Sequence, residues 1–276
     1  MRTLYLTDLD GTLLTTRQRI SPYTLAVLRR LTERGVLFSY ATARSLTSAR
    51  VVTEGLTPRL PVIVYNGGQI MDAVTGERLL LRQFTPEERA HLRALFQEHG
   101  VSPLVYAFVD GMERISWDAA RLNPGKRFYL DSRRGDRRLR PLPGPAGLYE
   151  GEIFYYTCIG TESELTPLYS ALTRSGRYAC TLQQELYRPE FWLEVMPRNA
   201  TKREAMLSLK EMLGCGRVVC FGDAVNDAPM FQAADACYAV ANAVDALKAM
   251  ATGVLGDNDS DGVARWLESH AVPAEK

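Results

Sequence analysis

The chain alternates short apolar runs with longer segments in which apolar residues recur every three or four positions. Ser21 and Pro22 begin the first of these longer segments, and Gly35 ends it, as expected for a capped amphipathic helix. The strand and helix patterns follow one another as "TLYLTD", "SPYTLAVLRRLTERG", "VLFSYAT", "SLTSARVVTEGL" and "PVIVYNGG". This order predicts a βαβαβ unit, in which crossover helices join parallel strands.

A different pattern begins after this unit. "QIMDAVTGERLLL" alternates around Thr75 and Gly76 and predicts a β-hairpin that leaves the sheet. Residues 84–190 then begin with a helix, two alternating strands and a long polar connection, after which a second series of one strand, one helix and two strands starts. We expect residues 84–190 to form an inserted α+β domain. The crossover pattern resumes afterwards, so residues 1–83 and 191–276 predict one α/β domain, a Rossmann-like three-layer core with a parallel sheet.

Polar residues follow the strands of the predicted core at the points where these strands end. Because ligands bind at the carboxyl ends of parallel strands, these residues are candidates for a functional site. They are Asp8, Asp10, Thr42, Asn66, Gly67, Gly68, Asp223, Asn226 and Asp227. Asp10 could belong to an ordinary turn with Gly11, and Asp227 and Thr42 could be helix caps, but local capping does not require all of these residues at one sheet edge. Carboxylates gathered there would repel one another unless they share a cation, and Mg²⁺ suits such oxygen ligands.

Lys202 gives a separate indication of an anion. Thr201 and Glu204 have the spacing of a capping box, which places Lys202 in the first turn of a helix. The helix macrodipole disfavours a cation there by about 0.3–1 kcal/mol. A phosphate group would compensate for this and would accept hydrogen bonds from the helix N–H groups. Metal, carboxylates and phosphate together indicate phosphoryl transfer.

With "DLDGT" after the first strand, Thr42 after the second, Lys202 and "GDAVND", the chain resembles the haloacid dehalogenase superfamily over nearly its whole length. The segments "ATAR", "YNGG", "GDAVNDAPMF" and "DNDSDGVA" resemble its Cof-type branch of small-molecule phosphatases, which carry a type C2B cap. The resemblance implies that Asp8 is the nucleophile that becomes aspartyl-phosphate. It also implies that Asp10 is the general acid and base.

The resemblance implies binding roles as well. The Mg²⁺ ligands would be Asp8, the backbone carbonyl of Asp10, and Asp223, with Asp227 supporting the metal shell. Phosphate oxygens would be held by Thr42, Lys202, Asn226 and the backbone amides of Leu9 and Ala43. Asn66 and Gly67 would support the site, and Arg44 either orients the second motif through ion pairs or reaches the substrate. The branch commonly has glycine where this chain has Ala43, Arg203 and Ala224, and these side chains could narrow the phosphate pocket or shift substrate preference.

Asp10 discriminates among the functions of this superfamily. A dehalogenase would not need an acid there, and the transport ATPases carry threonine, so Asp10 favours a phosphatase or a phosphomutase. A phosphomutase uses the same acid and differs in what its cap retains. The non-enzymatic alternative is a phosphate-sensing or phospho-accepting protein, and Asp10 counts against it. We expect a Mg²⁺-dependent phosphatase that acts on a sugar phosphate, a nucleotide or a cofactor phosphate.

Composition limits the partners. The 33 basic and 32 acidic residues give a net charge of +1, so we expect neither a nucleic-acid nor a membrane partner. No apolar run approaches the roughly 18 residues of a membrane span, and no signal-peptide pattern is present, so we expect a cytoplasmic protein.

The five cysteines include no C-x-x-C pair and are expected to be reduced core residues. The five arginines of "RRGDRRLR" bind a second anionic group or belong to a solvated loop.

Overall fold

The computed structural model describes residues 2–184 and 188–274, which form fourteen strands, nine α-helices and three short helical turns. In chain order the strands are β1 (Thr3–Thr7), β2 (Leu37–Tyr40), β3 (Val62–Val64), β4 (Gln69–Met71), β5 (Arg78–Leu81), β6 (Leu104–Val109), β7 (Met112–Asp118), β8 (Leu139–Leu142), β9 (Glu152–Gly160), β10 (Tyr178–Gln184), β11 (Phe191–Pro197), β12 (Arg217–Gly222), β13 (Ala236–Ala239) and β14 (Gly253–Val254). The α-helices are α1 (Pro22–Glu33), α2 (Leu46–Val52), α3 (Pro86–Glu98), α4 (Pro124–Asp131), α5 (Glu162–Ser175), α6 (Lys202–Met212), α7 (Ala228–Ala233), α8 (Asp245–Lys248) and α9 (Gly262–His270). The short turns span Leu9–Leu13, Tyr65–Gly67 and Val225–Asp227.

The chain divides into two compact units. The first contains the described residues up to Leu81 and from Ala200 onwards, and the second contains Arg82–Asn199. The sequence expectation places these boundaries at residues 84 and 190 instead. The second boundary lies later because β11 pairs with β9 and β10 and therefore belongs to the sheet of the second unit.

The first unit is built on a parallel sheet in the strand order β14-β13-β12-β1-β2. Leu4 and Leu6 of β1 are fully buried, as the apolar run around them predicts. Helices flank the sheet, with α1 in contact with α9 and α6 in contact with α7. Trp266 of α9 packs against Phe221 of β12, and their ring centroids are 5.2 Å apart. This arrangement confirms the Rossmann-like α/β fold.

The third predicted strand joins this sheet through a single parallel bridge, between Ala41 and Ile63. Beyond the bridge, β3 pairs antiparallel with β4, and β4 pairs antiparallel with β5, which gives the expected hairpin. The bridge places the turn after β3 beside the end of β2, and the N–H of Asn66 donates to the carbonyl of Thr42 at 2.9 Å. The candidate residues at the end of β2 and in the turn after β3 therefore lie side by side.

The second unit contains a six-stranded sheet in the order β10-β11-β9-β6-β7-β8. All neighbouring strands are antiparallel except β7 and β8, which are parallel. One face of the sheet packs against α3 and α5 through a buried apolar cluster. The helices contribute Leu92, Phe96, Leu165, Leu168 and Leu172 to this cluster.

The sequence predicts a polar connection between β7 and β9, but the structure contains α4 and β8 there. Asn123 caps α4, because its side-chain oxygen accepts a hydrogen bond from the N–H of Lys126 at 2.8 Å. Pro124 at the first helical position fits this start. This helix was not predicted because it has only eight residues, few of them strongly apolar, so its apolar periodicity is weak.

Three of the five arginines of "RRGDRRLR" pair with acidic side chains of the same unit. Arg138 forms ion pairs with Asp136 at 2.6 Å and with Glu113 at 2.7 Å, and its side chain is only 14% exposed. Further ion pairs join Arg134 to Asp131 and Arg140 to Glu150. These pairs offset much of the positive charge of the run, which favours a structural role over an anion site.

The described part of the chain contains no helix that is long and apolar enough to cross a membrane. All five cysteines are free, and four of them are buried. Burial raises the pKa of the Cys158 thiol to about 12, so this side chain stays a neutral core residue.

Candidate active site

Asp8 directly follows β1, an interior strand of the parallel sheet of the first unit. Its backbone N–H donates to the carbonyl of Phe221 at 2.9 Å, and the hydroxyl of Thr7 donates to the carbonyl of Asp8 at 2.7 Å. Only 6% of Asp8 is exposed. The buried strand therefore fixes the position of this carboxylate at the carboxyl edge of the sheet.

Lys202 lies between two carboxylates. Its Nζ donates to Asp8 Oδ1 at 2.6 Å and to Asp227 Oδ1 at 2.7 Å, and the side chains of Lys202 and Asp227 are fully buried. The Thr201 hydroxyl caps α6 by accepting from the N–H of Glu204 at 3.2 Å, which places Lys202 in the first turn as expected. Asp8 and Asp227 thus supply negative charge that compensates for a lysine at a helix N-terminus.

Asp227 shapes the turn that follows β12. While its Oδ1 accepts from Lys202, its Oδ2 accepts from the backbone N–H groups of Asp223 and Ala224 at 3.0 and 3.1 Å. The hydroxyl of Thr12 donates to Asp223 Oδ1 at 2.6 Å. Asp223 is therefore held from both sides, by the turn that carries it and by the loop after β1.

Carboxylate oxygens of Asp8, Asp223 and Asp227 lie within 4.8 Å of one another. Both oxygens of Asp227 are already engaged, whereas Asp8 Oδ2 and Asp223 Oδ2 accept no hydrogen bond from the described residues. A Cβ atom at Gly11 would lie 2.3 Å from Asp223 Oδ2, so the glycine keeps that oxygen accessible. Hard oxygen donors of this kind suit a divalent cation such as Mg²⁺, and Asp8 and Asp223 have a carboxylate oxygen available for one.

The pKa values of Asp8 and Asp223 are both raised. Burial is the main cause of the raised pKa of Asp8; Lys202 opposes it, and the charges of Asp227 and Asp223 add to it. Burial raises the pKa of Asp223 to about 6, against the hydrogen bond from Thr12. Burial alone would lower the pKa of Lys202, but the Asp227 and Asp8 carboxylates outweigh it and raise that pKa. A cation bound to these oxygens would relieve the repulsion.

The ends of β2 and β3 supply polar groups beside this cluster. Thr42 is fully buried, and its hydroxyl accepts from the N–H of Arg44 at 3.1 Å. Asn226 Nδ2 donates to Asn66 Oδ1 at 3.2 Å, which links the turn after β12 to the turn after β3. Gly67 has a φ of +99°, and a Cβ atom there would lie 2.2 Å from the carbonyl oxygen of Thr201. Gly67 therefore allows its turn to approach the start of α6.

The guanidinium group of Arg44 holds Asp10 through two hydrogen bonds. Nε donates to Asp10 Oδ2 at 2.7 Å, and Nη2 donates to Asp10 Oδ1 at 2.6 Å. The side chain of Arg44 is 20% exposed and that of Asp10 is 45% exposed. This pair supports the first of the two roles considered for Arg44, the orientation of the second motif.

The remaining predicted positions differ in exposure. Leu9 is fully buried and Ala43 is exposed, and it is their backbone amides that are expected to bind phosphate. Ala224 has a φ of −120°, which any residue adopts, so the turn does not require glycine there. Arg203 is exposed and forms an ion pair with Glu204. The structure therefore tolerates these departures from glycine without backbone strain at residue 224.

Sequence reasoning missed three residues that hold the loop after β1. Thr12 contacts Asp223, as described above. Asn242 Nδ2 donates to the carbonyl of Gly11 at 2.7 Å, and Asn258 Nδ2 donates to the carbonyl of Leu14 at 2.9 Å. The N–H of Asn258 also donates to Asn242 Oδ1 at 3.1 Å. Thr12 lies inside "DLDGT" and Asn258 lies inside "DNDSDGVA", but no spacing signal connects residues 242 and 258 to this loop.

A family model described as haloacid dehalogenase-like hydrolase matches residues 5–267. The chain belongs to the haloacid dehalogenase-like hydrolases, which confirms the resemblance seen in its motifs. It is 24% identical to the 5-amino-6-(5-phospho-D-ribitylamino)uracil phosphatase YwtE of Bacillus subtilis, over 95% of each chain. It is 25% identical to the pyridoxal phosphate phosphatase YbhA of Escherichia coli, over 96% of this chain and 97% of the relative.

A solved structure shows the same fold. The crystal structure of TM0651 from Thermotoga maritima matches with a TM-score of 0.80 and 24% identity, over 99% of each chain. Because the match covers both units, it confirms the fold class predicted from the order of strands and helices.

Proposed function

We propose that this protein is a Mg²⁺-dependent phosphatase that hydrolyses a small phosphorylated metabolite through an aspartyl-phosphate on Asp8. The observation that carries the proposal is the buried Asp8 carboxylate, which lies 2.6 Å from Lys202 and within 4.8 Å of Asp223. The two relatives described above support it, since both are named as phosphatases of small phosphate esters.

In the first half of the reaction, an oxygen of Asp8 attacks phosphorus while the bond to the leaving alcohol breaks. Asp10 gives its proton to the leaving oxygen. Positive charge and N–H or O–H donors stabilise the phosphoryl oxygens. In our proposal these donors are Lys202, Thr42, Asn226 and the backbone amides of Leu9 and Ala43.

In the second half, Asp10 takes a proton from water as the water attacks phosphorus of the aspartyl-phosphate. The products are inorganic phosphate and the original Asp8 carboxylate. Asp8, Asp223 and the backbone carbonyl of Asp10 would hold Mg²⁺, and Asp227 would support them. The bound ion supplies neutralising charge to the phosphoryl group.

We also propose that the second unit, Arg82–Asn199, is the cap implied by the family resemblance and that it sets substrate choice. Its place in the chain supports this, because it is inserted between β5 and α6 of the first unit. It contains a sheet with helices α3 and α5 on one face, which is the α+β architecture expected of such an insertion.

The test is hydrolysis of p-nitrophenyl phosphate by the purified full chain, with Mg²⁺ and after treatment with EDTA. We expect turnover that requires Mg²⁺ and is lost in Asp8→Asn, which keeps the size of the side chain but removes the nucleophilic charge. Metal-independent activity, or full activity in Asp8→Asn, would contradict the proposal. A panel of phosphorylated sugars, nucleotides, flavin phosphates and pyridoxal phosphates then defines the substrate class. Release of inorganic phosphate, rather than an isomeric ester, separates a phosphatase from a phosphomutase.

A further inference from the structure

The guanidinium group of Arg44 has partners on several sides. Besides its two bonds to Asp10, Nη2 donates to Gln18 Oε1 at 3.0 Å, and Nη1 donates to Ser48 Oγ at 3.1 Å. Because the guanidinium group is planar and rigid, it cannot rotate without weakening several of these bonds together. Gln18 and Ser48 therefore restrict the orientation of Arg44.

Gln18 occupies an unusual backbone conformation. Its φ is 53°, in the left-handed region that disfavours residues with a Cβ atom. The side chain is exposed, so core packing does not account for this conformation. Strained backbone that persists at the surface often marks a functional contact. The one side-chain contact found for Gln18 in the described residues is the hydrogen bond from Arg44.

Hydrogen bonds close the turn that carries Gln18, since the N–H of Thr15 donates to the carbonyl of Arg19 at 3.0 Å. The N–H of Gln18 donates to the carbonyl of Thr15 at 2.8 Å. The N–H of Thr16 donates to Asp259 Oδ1 at 2.9 Å, and its hydroxyl contacts the same carboxylate. These bonds hold the amide of Gln18 in place beside Arg44.

We propose that Gln18 is a positioning residue for Asp10 and that it acts through Arg44. Arg44 binds both carboxylate oxygens of Asp10, so rotation of the guanidinium group would turn the carboxylate with it. Gln18 limits that rotation and keeps Asp10 aligned for proton transfer, which depends on a small range of distances and angles. This inference rests on the proposed function, in which Asp10 is the acid and base.

The test compares Gln18→Gly with the wild type. Glycine tolerates a φ of 53°, so the substitution relieves the backbone while it removes the amide. We expect a Tm equal to or above that of the wild type, together with a kcat about tenfold lower and an unchanged KM, as for other groups that orient a catalytic residue. Gln18→Glu keeps an oxygen acceptor at the same reach and should recover most of the lost kcat.

Asp110→Gly is the matched control. Asp110 has a φ of 50° and lies exposed at the turn between β6 and β7, so its replacement makes the same backbone change elsewhere. We expect a similar effect on Tm and no change in kcat. A purely structural role for Gln18 predicts that Gln18→Gly behaves in the same way as this control.

A wild-type kcat in Gln18→Gly, or a change confined to KM, would overturn the inference. Absence of turnover in the wild type would instead show that the proposed function fails, so the two failures are distinct. A crystal structure of Gln18→Gly gives a measure that does not depend on turnover. We expect Asp10 and Arg44 in more than one orientation, and a single pair geometry identical to that of the wild type would overturn the inference.

Discussion

The ammonium group of Lys202 lies 2.6 Å from Asp8 Oδ1, with the lysine side chain fully buried. Asp227 contacts the same ammonium group at 2.7 Å, and Asp223 brings a third carboxylate within 4.8 Å of the other two. One buried cation therefore faces three acidic side chains. The resulting excess of negative potential is the physical reason to expect a divalent cation at these strand ends.

Replacing Lys202 should be costly, because it leaves buried carboxylates without their cation. We predict that Lys202→Met lowers the free energy of unfolding by about 3–5 kcal/mol. Lys210→Met is the control, since Lys210 pairs with Asp235 at 3.2 Å with 25% and 41% of the two side chains exposed. Breaking such a surface pair should cost less than about 1 kcal/mol. Denaturant unfolding measures both, and equal losses would contradict the proposed importance of the buried pair.

Gly11 should be required for more than its backbone conformation. We predict that Gly11→Ala lowers kcat/KM by about 100-fold, because its Cβ atom would displace the Asp223 carboxylate by distances that matter for catalysis. Gly111→Ala is the control: its φ of +74° is close to the +76° of Gly11, but nothing lies within 4 Å of the added atom. Both variants carry the backbone strain, of about 1–2 kcal/mol. If steady-state kinetics show equal losses in the two variants, the role assigned to Gly11 is wrong.

Binding of Mg²⁺ should depend on pH through Asp223. Its pKa is raised from 3.8 to about 6, so the protonated form favours the folded state. In the metal-free protein this contribution to stability is present below pH 3.8 and is lost as the pH rises through about 6. Mg²⁺ requires the ionised form, so we predict that the Mg²⁺-induced rise in Tm is small below about pH 6 and grows above it.

Thermal unfolding with and without Mg²⁺, measured across this pH range, checks the prediction. Asp223→Asn is the control, because it removes the Asp223 titration; its residual response to Mg²⁺ should lose the change near pH 6 and keep only the dependence that comes from Asp8, whose pKa is also raised. A Mg²⁺ effect of the same size on both sides of that pH in the wild type would count against Asp223 as a ligand.

Local sequence patterns predicted the parts of the site that depend on single elements. Asp8 lies at the end of a strand because an apolar run precedes it, and Lys202 lies in a first helical turn because Thr201 caps that helix. Parallel topology then brought these elements to one edge of the sheet. The family resemblance added roles for individual residues that pattern alone does not assign.

Contacts between distant parts of the chain could not be predicted in this way. The bond from Asn242 to Gly11 spans 231 residues, and the bond from Asn258 to Leu14 spans 244. No periodicity or spacing rule carries that information. Gln18 also has no motif, since its contact with Arg44 depends on a loop conformation with positive φ. The sequence-based boundary at residue 190 separates β11 from β9 and β10, because pairing between strands, and not a local pattern, determines which unit a strand belongs to.

The central claim is that Asp8 carries the phosphoryl group during turnover. Asp10→Asn should slow kcat by about 10²–10⁴-fold, because it removes the acid and base, and should let aspartyl-phosphate accumulate. The variant is mixed with a phosphate ester and Mg²⁺, quenched in acid and treated with borohydride, which reduces an aspartyl-phosphate to homoserine. Mass spectrometry then examines the tryptic peptide of residues 3–17. We predict homoserine at position 8 and none when Asp8→Asn is added; turnover with no homoserine at position 8, or with homoserine elsewhere, would contradict the mechanism.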